Sequence, residues 1–311
     1  MVSSVFLALG IIAILGSVIG FLVRDLDVDR ARRSCSTLVL YVFLPALAFD
    51  AIYSAPLGSM FWQVPVVMLA GSIACLAVAI PVFSLMRSEE KRVVGALILG
   101  SAFGNVTYLG LPVLRGLFPN QLQQVTEVAI LCEVTVSSLD LIAGSILARF
   151  YGGATGTSLR SLILQLIKFP LLWSALIAVA FNVLHLPLPD FAIMALRLLG
   201  QTVSGLMILI LGMALGSSAV SPTLGKAVSL GPPLLIKLAL SPLIVLFLGK
   251  TLKLPALALH ATTVEAAMPP QLFTLIVADR FNLDTENLAV AVMVLTRLSF
   301  LTVPLVNWLL I

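Results

Sequence analysis

Long apolar runs recur along the whole chain and are separated by short polar segments. A membrane-spanning helix needs about 20 consecutive apolar residues, whereas barrel strands would be about 10 residues of alternating character. The pattern therefore predicts an all-α integral membrane protein with ten transmembrane helices. The predicted spans are residues 4–23, 36–55, 62–86, 93–117, 122–148, 162–184, 191–216, 230–249, 257–279 and 288–310.

Two of these runs contain residues that a continuous helix disfavours. The fourth run contains Gly104-Asn-Val-Thr-Tyr-Leu-Gly-Leu-Pro112, and the ninth contains Glu265-Ala-Ala-Met-Pro-Pro270. Proline removes a backbone donor and clashes with the preceding turn, and freed backbone groups at membrane depth must be buried in protein or face a watery cavity. A single proline is typical of a kink that only shapes packing. Two interrupted helices with polar neighbours in corresponding places favour a binding site.

Composition agrees with a membrane protein and excludes other classes. Of the 311 residues, 60% are hydrophobic and 10% are charged, against roughly 25% charged in soluble domains. The net charge of +4 is spread over short loops, so it does not indicate a nucleic-acid partner. Neither a His-Glu-x-x-His zinc motif nor the Gly-x-Gly-Asp of intramembrane aspartyl proteases occurs. The sequence therefore predicts no enzyme, no metal centre and no cofactor other than a coupling sodium ion or proton.

The basic residues also predict the orientation in the membrane. With both termini outside, the outer loops hold only Arg115, Lys250 and Lys253. Eleven basic residues then lie in the inner loops: Arg24, Arg30, Arg32, Arg33, Arg87, Lys91, Arg92, Arg149, Arg160, Lys226 and Arg280. This distribution fits the positive-inside rule. We expect a multi-pass protein of the cell's inner (plasma) membrane, with the lipid bilayer as its surroundings.

A Gly- and Thr-rich segment, residues 151–158, divides the predicted spans into two sets of five. Because five is odd, two such sets run in opposite directions across the membrane, which is the inverted-repeat arrangement of many transporters. The third span of each set has an early proline and the fourth is interrupted. The sequence therefore predicts two five-helix repeats, residues 1–150 and 158–311.

Several of these segments resemble a known family. Gly104–Pro112 resembles the fourth-span motif of the auxin efflux carrier family, which includes plant PIN proteins and bacterial carboxylate transporters. Tyr41-Val-Phe-Leu-Pro-Ala-Leu-Ala-Phe49 is similar to its second span, Glu265–Pro270 to its ninth and Thr302-Val-Pro304 to its tenth. The resemblance covers nearly the whole chain, and the motifs are specific in combination.

This resemblance implies a fold and a transport mechanism. Spans 1, 2, 6 and 7 would form a scaffold domain, compatible with a homodimer. Spans 3–5 and 8–10 would form a transport domain in which broken helices 4 and 9 cross. Substrate would bind at the crossing and move with that domain in an elevator-type motion. The candidate substrate-binding residues are Asn105, Thr107, Tyr108, Pro112, Met268, Pro269, Pro270 and Gln271.

A more distant likeness is to bile-acid sodium symporters, in which an Asn beside the first break and a Glu beside the second help to hold sodium. Asn105 and Glu265 stand in matching places, and Thr135, Ser137 or Ser138 would supply hydroxyls. The plant carriers are similar in fold without an obvious sodium requirement. Sodium coupling and proton coupling therefore both stay open.

Charged residues inside the spans are further candidates, because a buried charge costs at least ~2.5–3.5 kcal/mol on insertion scales. Glu133, Ser137 and Asp140 lie on nearly one face of span five and form an acidic, hydroxyl-bearing stripe that is a candidate for ion coupling with Glu265. Glu127 lies near the outer end of this span, where we expect it to be solvated.

Arg297, near the middle of span ten, is compatible with three roles. It can pair with Glu133 or Asp140, bind a substrate carboxylate, or act as a tethered cation where a relative binds sodium; the last role would favour proton coupling. We expect Lys237 in span eight to snorkel or to pair within the transport domain. Asp50, near the outer end of span two, is compatible with an outward vestibule.

The sequence as a whole predicts a secondary active transporter of small organic anions, such as mono- or dicarboxylates and auxin-like acids. No nucleotide-binding motif is present, so an ion gradient or the membrane potential must supply the driving force. A channel or a ligand-sensing membrane protein on the same scaffold is the alternative.

Overall fold

The computed structural model describes residues 2–23, 26–85, 90–152, 169–217 and 230–311. Throughout this part of the chain the regular structure is helical, apart from one isolated backbone bridge. The α-helices are α1 (Val2–Leu22), α2 (Val28–Leu38), α3 (Leu44–Tyr53), α4 (Ser59–Leu85), α5 (Lys91–Ala102), α6 (Leu111–Leu117), α7 (Leu122–Tyr151), α8 (Pro170–Val183), α9 (Asp190–Ser217), α10 (Gly231–Leu234), α11 (Ser241–Thr251), α12 (Ala256–Ala266), α13 (Phe273–Arg280) and α14 (Thr285–Leu310).

The helices have the length and composition of a membrane protein. Among the described residues, six helical segments are long and apolar enough to cross a bilayer, and three shorter apolar helices accompany them. The all-α membrane class is therefore confirmed. The start of predicted span six and most of the predicted boundary between the repeats, residues 151–158, lie outside the described residues, and the ten-helix inverted repeat stays a prediction.

Three π-helical segments, which the sequence analysis did not predict, interrupt the spans. They are Val39–Phe43, Val106–Gly110 and Leu235–Leu240, and each is followed within two residues by a proline: Pro45, Pro112 and Pro242. Proline cannot donate the usual i→i−4 bond, and the backbone responds with wider turns, as in the bond from Ser241 N–H to the Ile236 carbonyl. These prolines widen the helix locally and do not end it.

The chain divides into two compact units. Unit 1 comprises Met1–Leu57, Thr107–Ile130 and Gln165–Ala219, and unit 2 comprises Gly58–Val106, Leu131–Leu164 and Val220–Ile311. Helix α7 begins in unit 1 and continues in unit 2.

Unit 1 is built around the close packing of α1 against α9. A methyl group added at Gly212 would overlap the Ala13 carbonyl oxygen, and one added at Gly16 would overlap the Leu209 carbonyl oxygen. Small residues of this kind let two helix backbones approach closely in a membrane. The Ser17 hydroxyl adds a 2.9 Å hydrogen bond to the Gly212 carbonyl.

Unit 2 has α5 at its centre. Every residue of α5 from Val93 to Ala102 is buried, and a helix that is apolar all round is expected to lie inside a bundle. Helices α4 and α14 pack against it. This buried helix ends at Ala102, where the first interruption begins.

Candidate functional site

The two interrupted helices of unit 2 meet at their breaks. Helix α5 ends at Ala102 and α12 ends at Ala266. The Asn105 N–H donates to the Pro269 carbonyl at 2.7 Å, and the Gln271 N–H donates to the Phe103 carbonyl at 3.2 Å. Each break therefore satisfies backbone groups that the other leaves open, as membrane depth requires. The predicted interruptions are confirmed, although the first is confined to residues 103–105 and Pro112 lies beyond it, at the start of α6.

Gly104 is at the centre of this contact, where it forms an antiparallel bridge with Pro270. A methyl group added to Gly104 would lie 2.9 Å from both Cε and Nζ of Lys237 and 3.3 Å from the Met268 carbonyl oxygen. A side chain at position 104 would therefore displace the end of this lysine. Glycine allows the close approach of the ammonium group to the second break.

Lys237 is the cation of this site, and sequence reasoning did not place it there. Its side chain is buried; Nζ donates to the Ala266 carbonyl at 2.9 Å and to the Ser241 hydroxyl at 3.2 Å. The Ser241 hydroxyl donates to the same carbonyl at 3.0 Å. Ala266 is the last residue of α12, so the ammonium group lies where the helix dipole is negative. The available signal was a lysine in the middle of an apolar run, four residues before a serine.

Glu265 precedes this carbonyl and is fully buried. Among the described residues, neither of its carboxylate oxygens has a hydrogen-bond partner. The next residue, Ala266, accepts the hydrogen bond from Lys237 Nζ. An ionised Glu265 would therefore depend on Lys237 for compensation, because a charge in the membrane needs a partner.

The acidic stripe of α7 reaches the second break through Asp140. The Gln271 amide and the Thr274 hydroxyl both donate to Asp140 Oδ2, at 2.7 and 2.9 Å. The other oxygen of Asp140, Oδ1, is buried without a partner among the described residues. One turn away, the Ser137 hydroxyl donates to Glu133. The structure thus brings the predicted stripe and the predicted second break together.

The other predicted substrate-binding residues are also buried. In unit 2 these are Asn105, Met268, Pro269 and Pro270. Thr107, Tyr108 and Pro112 follow the first break in the segment that belongs to unit 1. The Thr135 hydroxyl, a candidate for sodium, donates to the Leu131 carbonyl of its own helix at 2.7 Å.

The structure contradicts one of the three roles considered for Arg297 and the expected solvation of Glu127. Arg297 lies on the exposed face of α14 and forms no ion pair with a described residue, so it does not pair with Glu133 or Asp140. Glu127 is fully buried in unit 1, where both carboxylate oxygens lack a partner among the described residues, so it is not solvated. Depth along a span was predicted for both, but the direction in which each side chain points was not.

Taken together, the site contains one ammonium group and three buried carboxyl groups, those of Glu133, Asp140 and Glu265. If all were ionised, the site would carry an excess of negative charge in a medium that disfavours it. Binding of protons removes that excess. Within the described residues, no group of three or more His, Cys, Asp or Glu side chains is arranged to hold a metal ion.

Comparison with known proteins agrees with these observations. A family model described as membrane transport protein matches residues 11–151 and 154–307. An uncharacterised transporter of Methanocaldococcus jannaschii is 24% identical over 294 residues, 91% of each chain. An uncharacterised transporter of Methanothermobacter thermautotrophicus is 24% identical over 92% of each chain, and the uncharacterised transporter YfdV of Escherichia coli is 25% identical over 87% of each.

The match to the family model extends over nearly all of the chain and includes both interrupted helices. The chain therefore belongs to the membrane transport protein family, the auxin efflux carrier family that its motifs resemble.

Proposed function

We propose that the protein is a secondary active transporter of small organic anions, mono- or dicarboxylates, driven by protons. The observation that carries the proposal is the contact between the two breaks of unit 2, with Lys237 and three buried carboxyl groups around it. Family membership supports transport as the activity. Paired helix breaks at membrane depth are the places where transporters bind substrates and coupling ions.

Proton coupling is favoured over sodium coupling by Lys237. Its ammonium group already binds the Ala266 carbonyl, at the C-terminal end of α12. A helix end of this kind, with free carbonyl oxygens, is where a sodium ion would otherwise be held. With the ammonium group of Lys237 in that position, the carboxyl groups supply exchangeable sites for protons. Glu265 and Asp140 are suited to this role because three of their four carboxylate oxygens have no partner among the described residues.

For the transport step we propose an elevator-type motion. The division of the chain supports it: unit 1 contains predicted spans 1, 2, 6 and 7, and unit 2 contains spans 3, 8, 9 and 10. Spans 4 and 5 are shared between the units. In this scheme unit 2 carries the substrate.

The test is uptake by purified protein in liposomes, with radiolabelled malonate, malate and acetate offered under imposed proton, sodium or voltage gradients. We expect a proton gradient to drive uptake of at least one acid and a sodium gradient alone to drive none. In Glu265→Gln the response to the proton gradient should be lost. Glu286→Gln, the same change at an exposed position of α14, is the matched control and should retain it.

Two results would overturn the proposal. One is sodium-driven uptake that is indifferent to pH. The other is a Glu265→Gln variant that responds to the proton gradient as strongly as the Glu286→Gln control.

A further inference from the structure

Unit 1 contains a cavity of its own, apart from the paired breaks. Its volume is about 170 Å³. The walls come from α3, α6, α7 and α9, and the polar side chains among them are Asp50, Arg115, Gln123, Thr126, Arg197 and Gln201. In the orientation predicted from the loop charges, every one of these residues lies in the outer half of its span.

The cavity contains two arginines and one carboxylate. Arg197 Nε lies 3.4 Å from Asp50 Oδ1, which balances the charge of that arginine. A neighbouring cavity of about 410 Å³ shares Arg197 and adds a second carboxylate, Asp190. Among the described residues, Asp50 is the ion-pair partner of Arg197.

Arg115 has no such balance. It forms no ion pair with a described residue, and its contact with the Ser204 hydroxyl is a long one, 3.5 Å from Nη1. A guanidinium group offers five N–H donors in a planar fork that fits a carboxylate bidentately. Apart from the contact with Ser204, these donors have no partner among the described residues, and the side chain is half-buried on the wall of a polar cavity.

The geometry points to a second anion-binding site in unit 1, in which Arg115 binds the carboxylate of a small organic acid. One uncompensated guanidinium matches one carboxylate group. Since a water molecule takes about 30 Å³ of liquid volume, the cavity accommodates a solute of about five or six heavy atoms. The ligand class is therefore a short monocarboxylate, and butyrate, with its six heavy atoms, is a suitable probe.

The position of Arg115 in the sequence adds an independent argument. The predicted outer loops hold only three basic residues, and Arg115 is the one that lies in the last turn of α6, the helix that follows the first break. Under the proposed function, on which this assignment of the ligand class rests, the site would collect the anion on the outer side before transport. It would then raise uptake at low substrate concentration and leave the maximal rate unchanged.

The test measures binding separately from transport. Protein in lipid nanodiscs is titrated with ¹³C-labelled butyrate, and the bound fraction is followed by NMR. Arg115→Gln should weaken binding about tenfold or more, the usual worth of a charge-assisted hydrogen-bond pair. Arg115→Lys keeps the charge but loses the planar fork, so it should weaken binding by a smaller factor. Lys250→Gln removes an exposed outer positive charge elsewhere and is the matched control.

Each outcome decides the assignment. Weakening in both Arg115 variants and none in Lys250→Gln supports the site. Equal affinity in wild type and Arg115→Gln overturns it, as does equal weakening in Arg115→Gln and Lys250→Gln, which would indicate surface charge only. Because the measurement needs no gradient and no turnover, a failed transport assay would refute the proposed function without changing this result.

Discussion

The helix pair α1 and α9 in unit 1 and the paired breaks in unit 2 both depend on glycine, for different reasons. At Gly212 an added methyl group would overlap the backbone of an intact helix, at Ala13, so the whole helix would have to move. At Gly104 the atoms nearest to such a methyl group belong to the end of the Lys237 side chain, at 2.9 Å. Glycine in unit 1 holds two complete helices together, whereas glycine in unit 2 makes room for a charge beside two incomplete ones.

The largest effect is expected from Gly212→Ala. An added methyl group must push α1 away from α9, and overpacking of this kind typically costs about 1–3 kcal/mol or more. We expect a large fall in melting temperature in detergent. The matched control is Gly205→Ala on the same helix, where nothing lies within 4 Å of the added methyl group. The stability of that variant should be unchanged or higher by up to about 1 kcal/mol. If both variants lost stability to a similar extent, the close contact between α1 and α9 would not be the reason.

Gly104→Ala should sharpen the contrast, because its effect should be on function. The flexible end of Lys237 can move, so the protein should fold with little change in melting temperature. The moved ammonium group loses its bond to Ala266, and we expect uptake in liposomes to fall about tenfold or more. A fall in melting temperature as large as that of Gly212→Ala would show that Gly104, like Gly212, mainly serves helix packing.

Lys237→Gln tests the role of the cation directly. The amide can still donate to the Ala266 carbonyl, with Ser241 as a second donor, so folding should be preserved. Without the fixed charge, the carboxyl groups lose their compensation, and a sodium ion becomes a suitable substitute. The stimulation of uptake by a proton gradient should fall several-fold, and a sodium gradient should now stimulate uptake. Unchanged ion dependence would contradict the proposal that Lys237 occupies the place of a sodium ion.

The smallest effect is expected from Arg297→Gln. The side chain is exposed on α14 and lies outside both regions compared above. Uptake and its response to pH should stay within about twofold of wild type, in line with the small effects of surface substitutions. A loss comparable to that of Lys237→Gln would mean that the arginine, despite its exposure, takes part in coupling.

The acidic stripe could be predicted because it is local. Glu133, Ser137 and Asp140 belong to one helix, and the helical repeat by itself places them on one face. The breaks could be predicted for a similar reason, since Pro269, Pro270 and the residues around Gly104 disfavour a continuous helix wherever they occur. Even there, the effect of Pro112 was misjudged, because a π-helical turn absorbs its missing donor.

The sequence by itself determined the membrane class, the family, the two interruptions and the position of each charged residue along its apolar run, since all of these follow from composition and from spacing along one chain. Only the tertiary structure decided which charges meet. It joined Lys237 to the end of α12, connected Asp140 to Gln271, turned Arg297 outward and buried Glu127. The physical reason is that these partners lie far apart in sequence, or that neighbouring helices set the direction of their side chains. Hydropathy indicates which segments are apolar, but it does not indicate what a side chain in such a segment faces.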